Sequence, residues 1–298
     1  MTSVSEVNAT LTSTSPRVSE LRRFTRVFLS RKIVAAGMVI IVLTIITAIF
    51  APLIAPYSPY KTNLGPPVST PSKAHLLGTD SLGRDILSRI IYGSRTSLII
   101  GIVAITASAF VGMSLGMLAG YFGRWTFIII MRIMDAMMSF PLILLALLFV
   151  AIFGSGLKNV IIALGVGLVP MYTRMMCGQV LSVKQSDYIL AARSMGCSHI
   201  RIMLSHILRN TFPALIVQIT MMMGACILAE AALSYLGLGI APPQAAWGAM
   251  VYDGYKYLLA NPVLSIAPGL AIMLVVFSFN MIGDGLRDAL DPKLRGLL

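Results

Sequence analysis

The sequence predicts an all-α membrane protein that crosses the bilayer with about six helices, and three observations predict it. Apolar residues make up 57% of the 298-residue chain. Charged residues make up 11%, against roughly 25% in an ordinary soluble domain. The mean hydropathy is +0.86, and the apolar residues gather in repeated runs long enough to span hydrocarbon. A soluble domain of this length has too little interior to hide so much apolar surface. Lipid is therefore its solvent.

Residues 1–32 read as a cytoplasmic tail. They are rich in Ser, Thr and Val without periodicity up to about residue 16, then basic at Arg17, Arg22, Arg23, Arg26, Arg31 and Lys32. The run 33–55 is longer than the apolar core of a signal peptide and lacks a small-residue cleavage site. It is predicted to be a retained first span. Residues 56–95 read as an extracytoplasmic loop, made irregular by Pro56, Pro59, Pro66, Pro67 and Pro71. Within 85–97, Ile86, Leu87, Ile90 and Ile91 fall near helical spacing, which predicts a short interfacial helix leading into the second span. Further spans are expected at 96–121, 126–153, 157–181, 212–238 and 263–285. They form a transmembrane core, 96–285, that includes a cytoplasmic loop at 182–211, and a cytoplasmic tail follows at 286–298. Both termini then share the cytoplasmic side of a multi-pass protein in the cell membrane. The positive-inside rule agrees: basic residues on that side outnumber those outside, most of which (Lys61, Lys73, Arg84, Arg89 and Arg95) sit in the first outer loop. Loops of that length translocate despite their charge.

The net charge of +12 would suggest nucleic acid in a soluble protein. Here the positive-inside bias accounts for it, and no basic run interleaved with aromatics is present, so no nucleic-acid partner is expected. Cys177, Cys197 and Cys226 lack CxxC spacing, so neither a disulfide framework nor a metal site is expected. His75, His199 and His206 are dispersed. With no HExxH motif and no nucleophile–base pair, no catalytic residue is expected. The sequence also lacks a GxxxxGK[ST] phosphate loop, so any ATP-driven work must come from another chain.

Several residues inside the spans invite a role. Ala104, Ser108, Gly112, Gly116 and Gly120 recur every fourth residue, a stripe that suits close helix packing or, as the rival reading, a widened pore. Arg132 and Asp135, three apart in the third span, can pair on one helix face. Pro141 should kink that span, and Pro170 and Pro268 can do the same in the fourth and sixth. Glu230 is a lone carboxylate in the fifth span. It could bind a cationic solute, carry a proton or, the favoured reading, accept hydrogen bonds from a neighbouring helix. Arg132, Asp135, Pro141 and Glu230 are thus candidates for a translocation pathway.

The most informative stretch is QSDYILAARSMGCSHIRIMLSHILRNTFP, residues 185–213. Ser186 can cap a short helix that opens at Asp187. Ala191 and Ala192 let another surface approach, and Gly196 permits the left-handed turn that ends the helix. Ser198 can cap a second helix with apolar residues at 200, 203, 204, 207 and 208 and a polar face of Arg201, Ser205, His206 and Arg209. Such an elbow suits docking into a groove on another protein, or lying on lipid headgroups as an amphipathic connector.

The elbow resembles the EAA loop of ABC-transporter permease subunits, a pattern of EAA, three residues, Gly and a hydrophobic stretch. Ala191, Ala192 and Gly196 match it; Leu190 stands where the Glu would be, and Arg209 where a Pro often follows. Further segments are similar to the C-type subunit of the dipeptide/oligopeptide/nickel group: residues 77–98, 131–147, 227–239 with 247–250, and 283–295. The resemblance implies a type I ABC importer permease fold and a non-catalytic transport subunit. It implies a homologous B-type permease partner, two cytoplasmic ATP-binding subunits that bind ATP and Mg, and an extracytoplasmic solute-binding protein. The elbow would be the coupling helix, with Asp187, Ala191, Ala192, Arg193, Gly196, Ser198 and Arg201 at the ATPase contact. The solute would be a di- or oligopeptide, with a nickel or other metal chelate or glutathione as alternatives. A stand-alone secondary transporter using Glu230, Asp135 and Arg132 is the rival from another class.

Overall fold

The first apolar run folds as α1 (Lys32–Ile49) and a one-turn α2 (Ala51–Ile54). Pro52 stands in the first turn of α2, where its missing N–H breaks no helical bond. The computed structural model describes Phe28 and residues 31–290. The expectations for most of the N-terminal tail, including Arg17, Arg22, Arg23 and Arg26, and for residues 291–298, lie outside the described residues.

The second apolar run forms α3 (Ile86–Phe122), one unbroken helix of 37 residues. The interfacial helix expected at 85–97 and the span expected from 96 are therefore a single element. No Pro interrupts the chain between them, and at 1.5 Å per residue the helix is about 56 Å long, against roughly 30 Å of hydrocarbon. Its N-terminal turns project beyond the bilayer. Asp85 caps it, accepting from the Ser88 amide at 2.8 Å and the Ser88 hydroxyl at 2.7 Å.

The third run is broken. α4 (Arg124–Met138) and α5 (Leu142–Phe153) meet at an angle of 87°. Pro141 removes one amide donor and pushes Phe140 away from helical geometry, and Ser139 closes α4 by donating to the Ala136 carbonyl at 2.7 Å. The expected kink is here a corner. Pro170 and Pro268, by contrast, lie inside the continuous helices α6 (Leu157–Val183) and α11 (Val263–Leu290). Between these come α7 (Asp187–Ser194), a single turn α8 (His199–Arg201), a π-helical turn at Ile202–Ile207, α9 (Leu208–Tyr235) and α10 (Trp247–Tyr255). α1, α3, α6, the continuous stretch His199–Tyr235 and α11 are long and apolar enough to cross a membrane, and the α4–α5 pair passes the same test together, as a sixth span if its bent arms count as one.

α3 and α6 form the axis of the bundle. A Cβ added to Gly112 would lie 2.6 Å from Tyr172 Cβ, and one on Gly120 would lie 2.8 Å from Val180 Cβ. The four-residue stripe is therefore the seat of α6, and van der Waals contact replaces the hydrophobic drive that lipid cannot supply. Ile105, Leu164, Leu168 and Tyr172 build the core around this seam, and α5 adds Ala146 and Val150.

Outside the bilayer, loop 56–85 is irregular but tightly tied down. His75 Nδ1 lies 2.9 Å from Asp85 Oδ1. Asp80 accepts from Arg84 Nε at 2.6 Å and lies 3.6 Å from Arg89 Nε, while Arg89 also donates to the Pro59 carbonyl at 3.1 Å. All five of these charged or titratable side chains are buried. Asn261 reaches across to the Ser69 carbonyl at 2.8 Å, and Trp247 to the Ile90 carbonyl at 3.0 Å. The loop and the segment around α10 thus make one cap.

Candidate functional site: a docking elbow and a charged membrane face

The elbow begins where α6 ends. Ser186 occupies the N-cap of α7, but its side chain makes no capping bond; its carbonyl instead accepts from the Ile189 and Leu190 amides at 3.0 and 3.2 Å. Asp187 in the first turn and Arg193 in the last both complement the helix dipole. The helix closes as a Schellman motif: the Cys197 amide donates to the Ala192 carbonyl at 3.1 Å and the Gly196 amide to the Arg193 carbonyl at 3.1 Å. Gly196 has φ +76°, the left-handed geometry that the motif demands. Ser198 then caps α8, its hydroxyl accepting from the Arg201 amide at 3.4 Å.

The second arm departs from the expected stripe. The π-helical turn closes with the Leu208 amide on the Met203 carbonyl, so side chains five apart share a face. Ile202 and Ile207 are fully buried, whereas Ile200 and Leu204 stand out at 66% and 55% exposure. The apolar stripe read from the sequence thus divides, with Ile207 turned into the bundle beside Ile202, which the stripe did not include, and Ile200 and Leu204 left outward. The two alanines also divide: Ala192 is buried and Ala191 exposed.

The elbow is fixed to the bundle at both ends. Ile189, Ile202 and Ile207 pack with Met117, Tyr121, Met176, Val180 and Leu215. Lys184 donates to the Tyr121 carbonyl at 2.5 Å, the Tyr121 hydroxyl lies 2.7 Å from His199 Nδ1, and Asn210 donates to the Tyr188 hydroxyl at 2.5 Å. Tyr121, Tyr188 and His199 were invisible as anchors in the sequence, since Tyr121 and His199 stand 78 positions apart. The outward surface exposes the apolar side chains of Met195 at 78% and Ile200 at 66%, together with Asp187, Ser198 and Arg201.

The expected Arg132–Asp135 pair does not form. Asp135 on α4 pairs with Arg174 on α6, and Arg132 is exposed, with no ion pair among the described residues. A cation in the fourth apolar run needs an anion at its depth, a requirement legible at Arg174 that sequence spacing alone missed. Only Met134 of α4 is buried, so this arm presents Arg132 and Asp135 on an open face. Glu230 sits elsewhere, fully buried. It accepts from the Ser234 hydroxyl at 2.8 Å and the Ser97 hydroxyl at 3.4 Å, and Ser234 accepts from the Ile240 amide at 3.3 Å. The carboxylate ties α3 to α9 and to the chain beyond it. Pro141 forms the corner described above. No group of three or more metal-ligating side chains occurs among the described residues.

Comparison with known proteins bears directly on this architecture. Residues 112–296 match the family described as binding-protein-dependent transport system inner membrane component, and residues 19–71 match the N-terminal TM domain of oligopeptide transport permease C. The chain is 44% identical over 278 residues to the dipeptide transport system permease protein DppC of Alkalihalophilus pseudofirmus, covering 93% of this chain and 91% of that protein. It is 43% identical over 280 residues to the glutathione transport system permease protein GsiD of Pectobacterium atrosepticum, covering 92% and 91%. Its fold matches a chain of the MetNI methionine ABC transporter in an inward-facing conformation, with a TM-score of 0.57 at 20% identity, covering 69% of this chain and 98% of that one. The chain therefore belongs to the binding-protein-dependent transport system inner membrane components, as a C-type permease subunit of an ABC importer with the type I fold.

Proposed function

We propose that this chain forms half of the translocation pathway of an ATP-driven importer of short peptides, paired with a homologous B-type permease subunit. Two cytoplasmic ATP-binding subunits bind ATP and Mg and hydrolyse the nucleotide, and an extracytoplasmic solute-binding protein delivers the solute. Both termini and the elbow face the cytoplasm. The observation that carries this reading is the elbow: a knob that exposes Met195 and Ile200 on an outward surface, braced by buried isoleucines and by Tyr121 against α3, α6 and α9. A knob of that kind transmits force only if its root cannot give way, and this root is tied to three spans. Asp187, Ala191, Gly196, Ser198 and Arg201 surround the contact. Leu190 replaces the acidic residue of the EAA pattern, which removes one polar contact of that motif from the elbow.

The α4 arm supports a role in the pathway. Arg132 and Asp135 are too polar to face lipid, so their open face belongs against the partner permease or an aqueous passage. The relatives named for dipeptide and for glutathione transport are nearly equal in identity. Both solutes are short peptides with a free amine and at least one free carboxylate, and that shared chemistry defines the substrate class.

Gly196 supplies the test. A Cβ there meets nothing of this chain within 4 Å, so within the chain the effect of a side chain is backbone strain at a left-handed position. In proteoliposomes holding the whole complex, Gly196→Val should uncouple ATP hydrolysis from peptide uptake, whereas Gly196→Asn, which tolerates the left-handed region, should retain most uptake. Normal coupled uptake in the valine variant, or uptake without nucleotide, would overturn the proposal.

A further inference from the structure

We propose that the crevice between the elbow and the ends of α3 and α6 binds the phosphate headgroup of an anionic phospholipid from the adjoining leaflet, through Lys184 and Arg193. The inference rests on the reading that the elbow lies on the cytoplasmic side of a complete importer. The crevice is a cavity of about 370 Å³ with Lys184, Arg193, Gln185 and Tyr121 in its wall and no acidic residue among its lining. Arg193 has no ion pair among the described residues. Lys184 is held in place, with one donor on the Tyr121 carbonyl at 2.5 Å and its ammonium 5.6 Å from the centre of the Tyr121 ring. An ammonium has three donors, so two remain. Two cations on one small cavity without a counter-charge repel each other unless an anion joins them.

Three features select a lipid phosphate as that anion. The first is depth. Lys184 directly follows the last residue of α6, and Tyr121 is the penultimate residue of α3, which places the cavity where a span leaves the hydrocarbon and headgroups begin. The second is the remaining wall. Leu181 and Leu190, both largely exposed, flank the cations and offer an apolar surface that a soluble anion would not use but a glycerol backbone with acyl chains would. The third is orientation. On α7, Ile189 and Ala192 point into the bundle, Leu190 and Arg193 turn to one flank, and Asp187, Ala191 and Met195 occupy the outward pole. A partner seated on that pole leaves the flank open to the bilayer. Basic pockets between spans on the cytoplasmic side are the recurring way in which membrane proteins hold anionic headgroups.

The site would brace the elbow from behind, with lipid phosphate bridging α6 and α7 across the joint that the motor pushes. Arg193, grouped with the ATPase contact on sequence grounds, thereby acquires a different neighbour.

The test uses the complete importer in nanodiscs of phosphatidylcholine with an admixture of phosphatidylglycerol, and native mass spectrometry of the lipids that stay bound. Wild type should retain phosphatidylglycerol in preference to phosphatidylcholine. Arg193→Gln should weaken that preference about fivefold, the worth of one basic residue near an anionic surface, and Arg193→Lys should restore it. Equal retention of both lipids, or an Arg193→Gln variant that retains phosphatidylglycerol as wild type does, would overturn the proposal. So would full displacement of phosphatidylglycerol by inorganic phosphate, which would assign the cavity to a soluble anion. ATP-coupled uptake measured on the same preparations separates the two claims: coupled uptake without lipid preference removes the lipid site alone, and failure of coupling in every lipid counts against the proposed function.

Discussion

Gly116 is among the residues with least room to change. A Cβ there would come within 2.8 Å of Met176 Cβ and 3.0 Å of the Cys177 amide, and closer still to the Thr173 carbonyl. Because two of those neighbours are backbone, the helices must move apart. Gly116→Ala should cost about 1–3 kcal/mol, read as a lower thermal midpoint of the purified complex in detergent. Glu230 behaves differently. A Gln at 230 keeps an acceptor for Ser234, so Glu230→Gln should transport within about twofold of wild type, whereas Glu230→Ala strands buried hydroxyls at a cost of about 1–3 kcal/mol. Abolished uptake by a well-folded glutamine variant would move Glu230 from framework to pathway. Asp135 and Arg174 should show coupling as a pair: each single alanine lowers stability, and exchanging the two charges recovers part of the loss.

The α4–α5 corner is the element whose shape depends most on one side chain. With Pro141→Ala the missing donor returns and the constraint on Phe140 lifts. The two arms should then straighten, measured as a longer distance between spin labels at the exposed positions Trp125 and Ile152. An unchanged distance would show that packing of α5 on α6 imposes the angle. The elbow gives the opposite case, in which the fold overrides periodicity. Apolar residues at 200, 204 and 207 share one face of a helical wheel, yet with the π-helical turn Ile202 and Ile207 are buried in the bundle while Ile200 and Leu204 stay exposed. Only the start signals, Asp187 in the first turn of α7 and Ser198 at the N-cap of α8, and the stop at Gly196 were readable locally.

Across the protein, the cap formed by loop 56–85 and the segment around α10 decides how the first span relates to the rest. Its ionic cluster is buried, and removing one partner of a buried pair costs about 3–5 kcal/mol because the other charge is left unpaired. Asp80→Ala, which strands both Arg84 and Arg89, should therefore expose loop 56–85 to proteolysis from the outer side before the bundle itself unfolds. A cleavage pattern indistinguishable from wild type would show that Asn261 and Trp247 hold the cap without the ionic cluster.

Composition and run length were enough to specify a six-span helical bundle, because hydrocarbon leaves a chain no alternative to satisfying its backbone internally. Strict spacing identified the glycine seam of α3, since packing between spans depends on side-chain size at a helical period. Pairings between elements were not legible: Asp135 with Arg174, Tyr121 with His199, Glu230 with Ser97. Each joins residues far apart in the chain, and local sequence states what a side chain needs but not which distant helix will supply it. The continuity of α3, the π turn and the burial of the outer loop's charges likewise arise only when the helices assemble, because they are settled by which surfaces remain for the chain to cover.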